Sequence, residues 1–356
     1  VDPLVAIPGL TSAIALVMAV LLVDQWRVRR RTYQLVWAAG MAFFGIASGV
    51  EAVAAAGGWG EALYKTWYLT GAVWTAGWLG LGTAFLLART RFGYTFAFCL
   101  ALAGVFTLLT QRRFQYEGAG AAPFLYLIAA LVIAVAVAVA TYFADDRWSR
   151  IAAVGVIGAT ALSIGLMVGV ALPPPGYAVD PTTGMPVGDL FPGTIRLLTP
   201  FMNITGGLAL ALGALFSAYM FMPKRRVLPY SLDPSQPGDQ MLFNLLIAPV
   251  AIAVNFVASL PGAVRAFFDG QLPSRVPATL LIAIGGFTAS GTDALNRFGS
   301  TELFQLGKLI SAILLFAGFL VSIEVFTEFR IPFTDRRIGS PRSEPAAARG
   351  STAGRS

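Results

Sequence analysis

Apolar stretches of about twenty residues recur along nearly the whole chain, and each is long enough for a helix to cross a hydrocarbon core of roughly 30 Å. The first seven such runs are 4–23, 35–56, 62–88, 93–110, 123–143, 150–172 and 196–222. One cleaved leader could not supply this excess, because the runs recur through the sequence. The composition agrees, with 56% hydrophobic and 12% charged residues and a mean hydropathy of +0.72. Soluble domains carry roughly 25% charged residues. The fold expected is all-α: a polytopic transmembrane helical bundle of about nine or ten membrane helices.

Basic residues orient these helices. The stretch between the first two runs, Asp24 to Arg31, holds Arg27, Arg29, Arg30 and Arg31. The positive-inside rule places it in the cytoplasm and the N-terminus outside. Alternation then brings Arg89 and Arg91, Arg147 and Arg150, and Lys224 to Arg226 to the same side, while Arg112 and Arg113 dissent. The segment 173–195, with Pro173 to Gly176 and Asp180 to Gly184, is too rich in helix breakers to span and is expected as the main external loop. Its Asp180 and Asp189 match no calcium-loop spacing and read as solvated turn carboxylates.

Residues 1–226 thus form a seven-helix transmembrane region, and 227–338 a C-terminal transmembrane region. Within the latter, 241–268 is apolar but contains Asn244, Pro249, Asn255 and Pro261, so a kinked span, a re-entrant hairpin and an interfacial helix all remain open. Runs 276–295 and 302–328 read as spans. The charge rule prefers nine crossings, which leaves 241–268 short of a full crossing and puts the C-terminus in the cytoplasm. Residues 339–356, rich in Gly, Ser, Pro, Arg and Ala, are expected to be a disordered basic tail. The chain begins with Val1, which either a literally translated alternative start codon or a processed end would give.

The formal charge of +7 comes mostly from Arg; Lys65, Lys224 and Lys308 are the only lysines. With no soluble basic domain, this charge sets topology and meets anionic lipid, and nucleic acid is not an expected partner. The chain has no histidine, which excludes histidine-ligated haem and histidine-based catalysis. Cys99 is the single cysteine, so no internal disulfide or Cys-x-x-Cys pair can form, and its apolar setting reads as a buried inert thiol. No cofactor and no metal site are expected.

An internal hairpin repeat is discernible. Ala47-Ser48-Gly49-Val50-Glu51-Ala52 is echoed by Ala289-Ser290-Gly291-Thr292-Asp293-Ala294. Allowing one gap, Glu61 falls on Glu302, Thr70 on Ser311, and Ala76 to Leu79 on Ala317 to Leu320. Both copies, 35–88 and 276–328, read as helical hairpins with a carboxylate late in the first helix. Repeats of this kind are common in transporters, where the repeat interface holds the substrate.

Ionisable groups within spans are functional candidates if they lie in hydrocarbon. Glu51, Asp293, Lys308 and Lys65 all sit near helix ends, where headgroup water could solvate them, Lys by snorkelling. Cross-pairs of Glu51 with Lys308, or of Asp293 with Lys65, would instead neutralise both charges between helices. An ion or substrate site is the third reading. Tyr64, Trp67, Trp74 and Trp78 recur at helical spacing and predict an aromatic stripe on one helix face. Such a face can line a slot for a flat lipid-soluble molecule or simply pack against other helices. Glu51, Trp67, Trp74, Trp78, Asp293 and Lys308 are therefore the candidate ligand-binding residues. Gly165 with Gly169, and Ala209, Gly213 and Ser217, place small residues for close helix packing.

The segment Phe201 to Leu210 with Gly213 to Tyr219, together with Leu280 to Gly285 and Asn296 to Gly299, resembles a family of bacterial multispan membrane proteins of uncharacterised activity. The resemblance covers the C-terminal half and implies an inner-membrane location and no known activity. Three functional readings follow. The first is a non-enzymatic membrane protein that handles or senses a small or lipid-soluble ligand, with transport the commonest subtype. The second is a structural or accessory subunit of a larger membrane complex; homo-oligomers and membrane-complex partners are compatible with these two. The third is an intramembrane enzyme using Glu51 or Asp293 as acid or base, for which the sequence supplies no second catalytic partner.

Overall fold

The computed structural model describes residues 2–143, 146–231, 238–297 and 303–322, with 329–330, 333 and 337–338 beyond them. Ten helices are found among these residues: α1 Pro3–Arg29, α2 Thr32–Gly57, α3 Glu61–Leu86, α4 Phe92–Phe114, α5 Ala122–Tyr142, α6 Arg147–Val168, α7 Gly193–Phe221, α8 Gly238–Phe268, α9 Arg275–Arg297 and α10 Phe304–Ser322. The protein is an all-α integral membrane protein. Helix ends fall where the apolar runs stop. Asp2 accepts the Leu4 amide and caps α1 before Pro3, while Arg30 takes a left-handed conformation (φ 51°) that turns the chain into α2. The expected tail, 339–356, lies outside the described residues.

Helix α7 is the axle of the bundle, packing against α3, α4 and α9. Around it stand the antiparallel hairpins α1–α2, α4–α5 and α9–α10. The α3–α7 crossing is made by backbone: a Cβ built on Gly80 would lie 2.5 Å from the Gly206 Cα. Gly213, one of the expected small residues, meets Thr83 of α3, but Gly165 has open space before it, so the expected close approach at Gly165 is not made. The outer helices leave much apolar surface uncovered. Phe124, Leu125, Ile128, Val132 and Val135 of α5 are all exposed, as a face against acyl chains requires.

The two ends of the bundle are well defined. At one end the Arg91 guanidinium donates to the Thr141 carbonyl, and the Trp148 indole donates to Ala88 at 2.7 Å, so the α3–α4 and α5–α6 connections meet. The C-terminal end of α7 lies on this side too, where Phe92 packs on Phe216. At the other end, the Gly193 amide donates to Glu117 at 2.7 Å and the Lys65 ammonium to Val170 at 2.6 Å. The 169–192 loop therefore covers the end opposite most of the basic connections. Arg112 and Arg113 close α4 on the loop side, so the dissent seen in the sequence persists.

By length and composition, nine helices among the described residues can cross a bilayer, α8 among them and α9 not. Packing points the other way. Helix α9 lies between α7 and α10, and the Ser311 hydroxyl of α10 donates to the Gly285 carbonyl of α9 at 2.9 Å. Helix α8 has only marginal backbone contact with any other helix. It runs unbroken through Pro249 and Pro261, which rules out the re-entrant hairpin considered for 241–268. Its inner face joins a small cluster with Ala218, Tyr219 and Met222 from the end of α7 and Val276 from the start of α9.

Candidate functional site

Glu51 lies in the last two turns of α2, and only 3% of its surface is exposed. Its Oε1 accepts the indole N–H of Trp67 at 2.6 Å. Its Oε2 accepts from Gln305 Nε2 at 2.7 Å and from Lys308 Nζ at 2.6 Å. The carboxylate thus gathers three donors from α3 and α10. Lys308 is itself buried, with its ammonium 5.1 Å from the centre of the Phe304 ring. The site carries no net charge and sits under the 169–192 loop, whose buried Met185 places its sulfur 3.3 Å from Gln305 Nε2. Headgroup solvation of Glu51 and Lys308 is therefore excluded, because this loop folds over the helix ends that the sequence left open to water.

The other expected cross-pair is that of Asp293 with Lys65. Lys65 bridges Glu61 one turn earlier, at 2.7 Å, and its second donation goes to Val170. The Asp293 side chain lies outside the described residues. The two segments of the sequence echo do build antiparallel hairpins, α2–α3 and α9–α10. The offset that sets Glu61 on Glu302 and Thr70 on Ser311 also sets Trp67 on Lys308 and Tyr64 on Gln305. Glu51 thus accepts from one hairpin's donor and from that donor's counterpart in the other. Elsewhere the hairpins differ: Gly77 faces Met202 of α7, whereas Gly318 faces Ala278 and Ile282 of its own hairpin partner.

The aromatic residues of α3 do not share one face. Tyr68–Trp74 forms a π-helical segment in mid-helix. A π turn holds more residues than an α turn, so seven residues in that register fall behind the α-helical phase by roughly a third of a turn. Trp67 consequently faces Glu51, while Trp74 and Trp78 face α6. The Trp74 indole donates to Ser163 Oγ at 2.8 Å and the Trp78 indole to Thr160 Oγ1 at 3.1 Å. Phe43 of α2 meets both rings edge-on, at 5.0 and 5.6 Å between centroids. Two cavities lie away from these rings. One of about 20 Å³, between Trp37, Thr83 and Leu210, has room for little more than a water; the other, of about 280 Å³, is at the opposite end of the bundle.

Near the site, Tyr64 stacks on Phe191 of the loop with centroids 4.8 Å apart, and its hydroxyl donates to the Val187 carbonyl. The loop carboxylates are occupied by their own surroundings. Asp180 accepts the Thr182 amide at 2.8 Å and hydroxyl at 2.6 Å, and these bonds hold its carboxyl down at about 2. Asp189 lies 3.0 Å from Arg196. Sequence reasoning missed Gln305, Met185 and Ser48. Among the described residues, Gln305 Oε1 and Ser48 Oγ are buried without a hydrogen-bond partner. Ser48 precedes Glu51 by three residues on one helix face, a spacing that could have drawn attention to it.

Compared with family models, curated proteins and solved structures, this chain matches none.

Proposed function

We propose that this integral membrane protein handles or senses a small ligand, and that the Glu51–Lys308 pair is the latch of its site beneath the 169–192 loop. Transport is the subtype that this arrangement suits best. A buried ion pair rarely gains stability over well-packed apolar residues, since desolvation of both charges offsets their attraction. One observation carries the reading: beside this pair, the Gln305 carbonyl and the Ser48 hydroxyl are buried with nothing to bond among the described residues. Each such group costs about 1–3 kcal/mol, a cost that a ligand bearing a hydrogen-bond donor would relieve. Opening of the latch would present Glu51, Gln305 and Lys308 together with the Trp67 ring. The same reading groups the chain with the bacterial inner-membrane proteins that its C-terminal half resembles.

The test is retention of small molecules by the purified full chain, read by mass spectrometry of extracts from wild type, Glu51→Gln and Gln305→Leu. Wild type is expected to carry a molecule that both variants lose while remaining folded. No molecule in any sample, wild type included, would remove the reading.

A second reading, an accessory subunit of a larger membrane complex, is favoured by the aromatic residues of α3. Trp74 and Trp78 are committed to Ser163 and Thr160, with Phe43 set against both rings, as in a helix interface. The native mass of the solubilised protein separates the two: stably bound foreign subunits favour this second reading, and a monomer or homo-oligomer the first.

A further inference from the structure

The cavity of about 280 Å³ lies between α8 and the strap 223–228 that follows α7. Three basic side chains line it, Lys224 and Arg225 from the strap and Arg265 from the helix. Among the described residues none of the three is in an ion pair.

The strap is held in place by two polar residues buried on α8. Asn255 Oδ1 accepts the amides of Val227 and Leu228 at 2.7 and 2.9 Å, and its Nδ2 donates to the Leu228 carbonyl at 2.8 Å. Ser259 Oγ accepts the Arg225 amide at 2.9 Å. Both residues are about 1% exposed or less. The strap is therefore fixed through its backbone rather than by ion pairs of its basic side chains, of which Lys224 lies 5.6 Å from the centre of the Tyr219 ring. This accounts for Asn255 and Ser259 in the otherwise apolar stretch 245–264 of the helix.

The faces of α8 are distinct. At about 100° per residue, Val250, Val254, Val257, Val264 and Phe268 fall on one side of the helix. All five are exposed, Phe268 by 81%. Ile252, Phe256, Leu260 and Ala263 face the end of the bundle. The strap lies over Asn255 and Ser259, and Arg265 stands on the flank between the strap and the exposed apolar side. One side of α8 thus needs hydrocarbon, while the other carries an extended, highly charged strap whose exposed backbone needs water. The end of α7 and the start of α9 meet at this same place, where the Arg275 guanidinium lies 4.5 Å from the centre of the Phe221 ring. A helix that joins two spans at one membrane face has no need to cross.

We propose that α8 lies along the membrane boundary and that Lys224, Arg225 and Arg265 hold the phosphate of an anionic lipid headgroup, whose acyl chains follow the exposed valine side of the helix. The cationic lining fits a phosphate. The apolar side that begins beside Arg265 favours lipid over free phosphate. This rests on residues remote from Glu51 and stands apart from the reading of that site.

The full chain in nanodiscs tests it. Phosphatidylglycerol retained per protein is compared with phosphatidylcholine for wild type, Arg265→Gln, and the combined Lys224→Gln, Arg225→Gln, Arg265→Gln variant. The backbone bonds of the strap survive all three changes, and Arg265→Gln alone gives the answer should the combined variant not fold. Wild type is expected to prefer the anionic lipid, with the preference falling roughly five-fold for each basic group removed. Millimolar inorganic phosphate is expected not to displace the lipid. An unchanged preference in the variants, equal retention of the two lipids by wild type, or displacement by inorganic phosphate would each overturn the proposal.

Discussion

The Lys308 ammonium lies 2.6 Å from the Glu51 carboxylate, joining α10 to α2 across 257 residues of sequence. Neither charge could be sustained there alone. The pair ties the C-terminal hairpin to the N-terminal one at the loop-covered end, and Trp67 and Gln305 complete the hydrogen bonding of the carboxylate.

Removing either partner is expected to strand the other. Glu51→Leu or Lys308→Met should each destabilise the bundle by roughly 3–5 kcal/mol, whereas the double variant should regain most of that loss. Thermal unfolding of the four proteins in one detergent measures the cycle. Losses that simply add would show that the two charges do not depend on each other.

At Trp74 the ring and its N–H make separable contributions. Trp74→Phe forfeits the bond to Ser163 and is expected to cost about 1 kcal/mol, while Trp74→Ala also empties the space beside Phe43 and should cost roughly 3–5 kcal/mol. Unfolding midpoints in denaturant give both values. Equal losses would mean that ring packing contributes little at this position.

The α3–α7 crossing predicts a contrast between glycines. Gly80→Ala drives a methyl group into the Gly206 backbone, which cannot retreat as a flexible side chain would. Its yield and thermal stability should fall sharply, by about 1–3 kcal/mol or more. Gly165→Ala faces open space and should be neutral or slightly stabilising. Similar behaviour of the two variants would contradict the backbone contact.

Most of the helices were legible in the sequence because a bilayer demands long apolar runs, and the ends of α1 to α7 follow those runs closely. The partnership of Glu51 and Lys308 was one of the cross-pairs the sequence offered, since two opposite charges near helix ends have few ways to be satisfied. The rest was hidden for identifiable reasons. The π segment of α3 leaves no mark in the spacing of Trp67, Trp74 and Trp78, because hydrogen-bond register is not a property of composition. Composition also ranks α8 above α9 as a span, although α9 is the helix that packs into the bundle; hydropathy cannot distinguish an apolar side turned to lipid from one turned to protein. Gln305 reaches Glu51, and Met185 reaches Gln305, only through tertiary folding.

The last prediction concerns which end of the bundle faces the cytoplasm. The connections bearing Arg89 and Arg91 and Arg147 and Arg150 meet at one end, and the 169–192 loop covers the other. Arg and Lys are retained on the cytoplasmic side during insertion, so the loop is expected outside and the strap at Lys224 inside. Arg112 and Arg113 oppose this, and Lys65 and Arg196 also stand at the loop end, each paired with a carboxylate, but the basic residues of the opposite connections outnumber them. Single cysteines placed at Thr183 and at Val227 in a Cys99→Ser background, probed with a membrane-impermeant maleimide on intact and on opened cells, read the orientation. Cysteine at 183 should label in intact cells and cysteine at 227 only after opening. Cys99 is fully buried, but serine is close to it in size and its hydroxyl can bond the carbonyl one turn back in α4, so the replacement should leave the bundle in place. The reverse pattern would invert the whole molecule and turn the basic cavity beside α8 to the outer face, away from the leaflet in which anionic lipid would be expected to meet it.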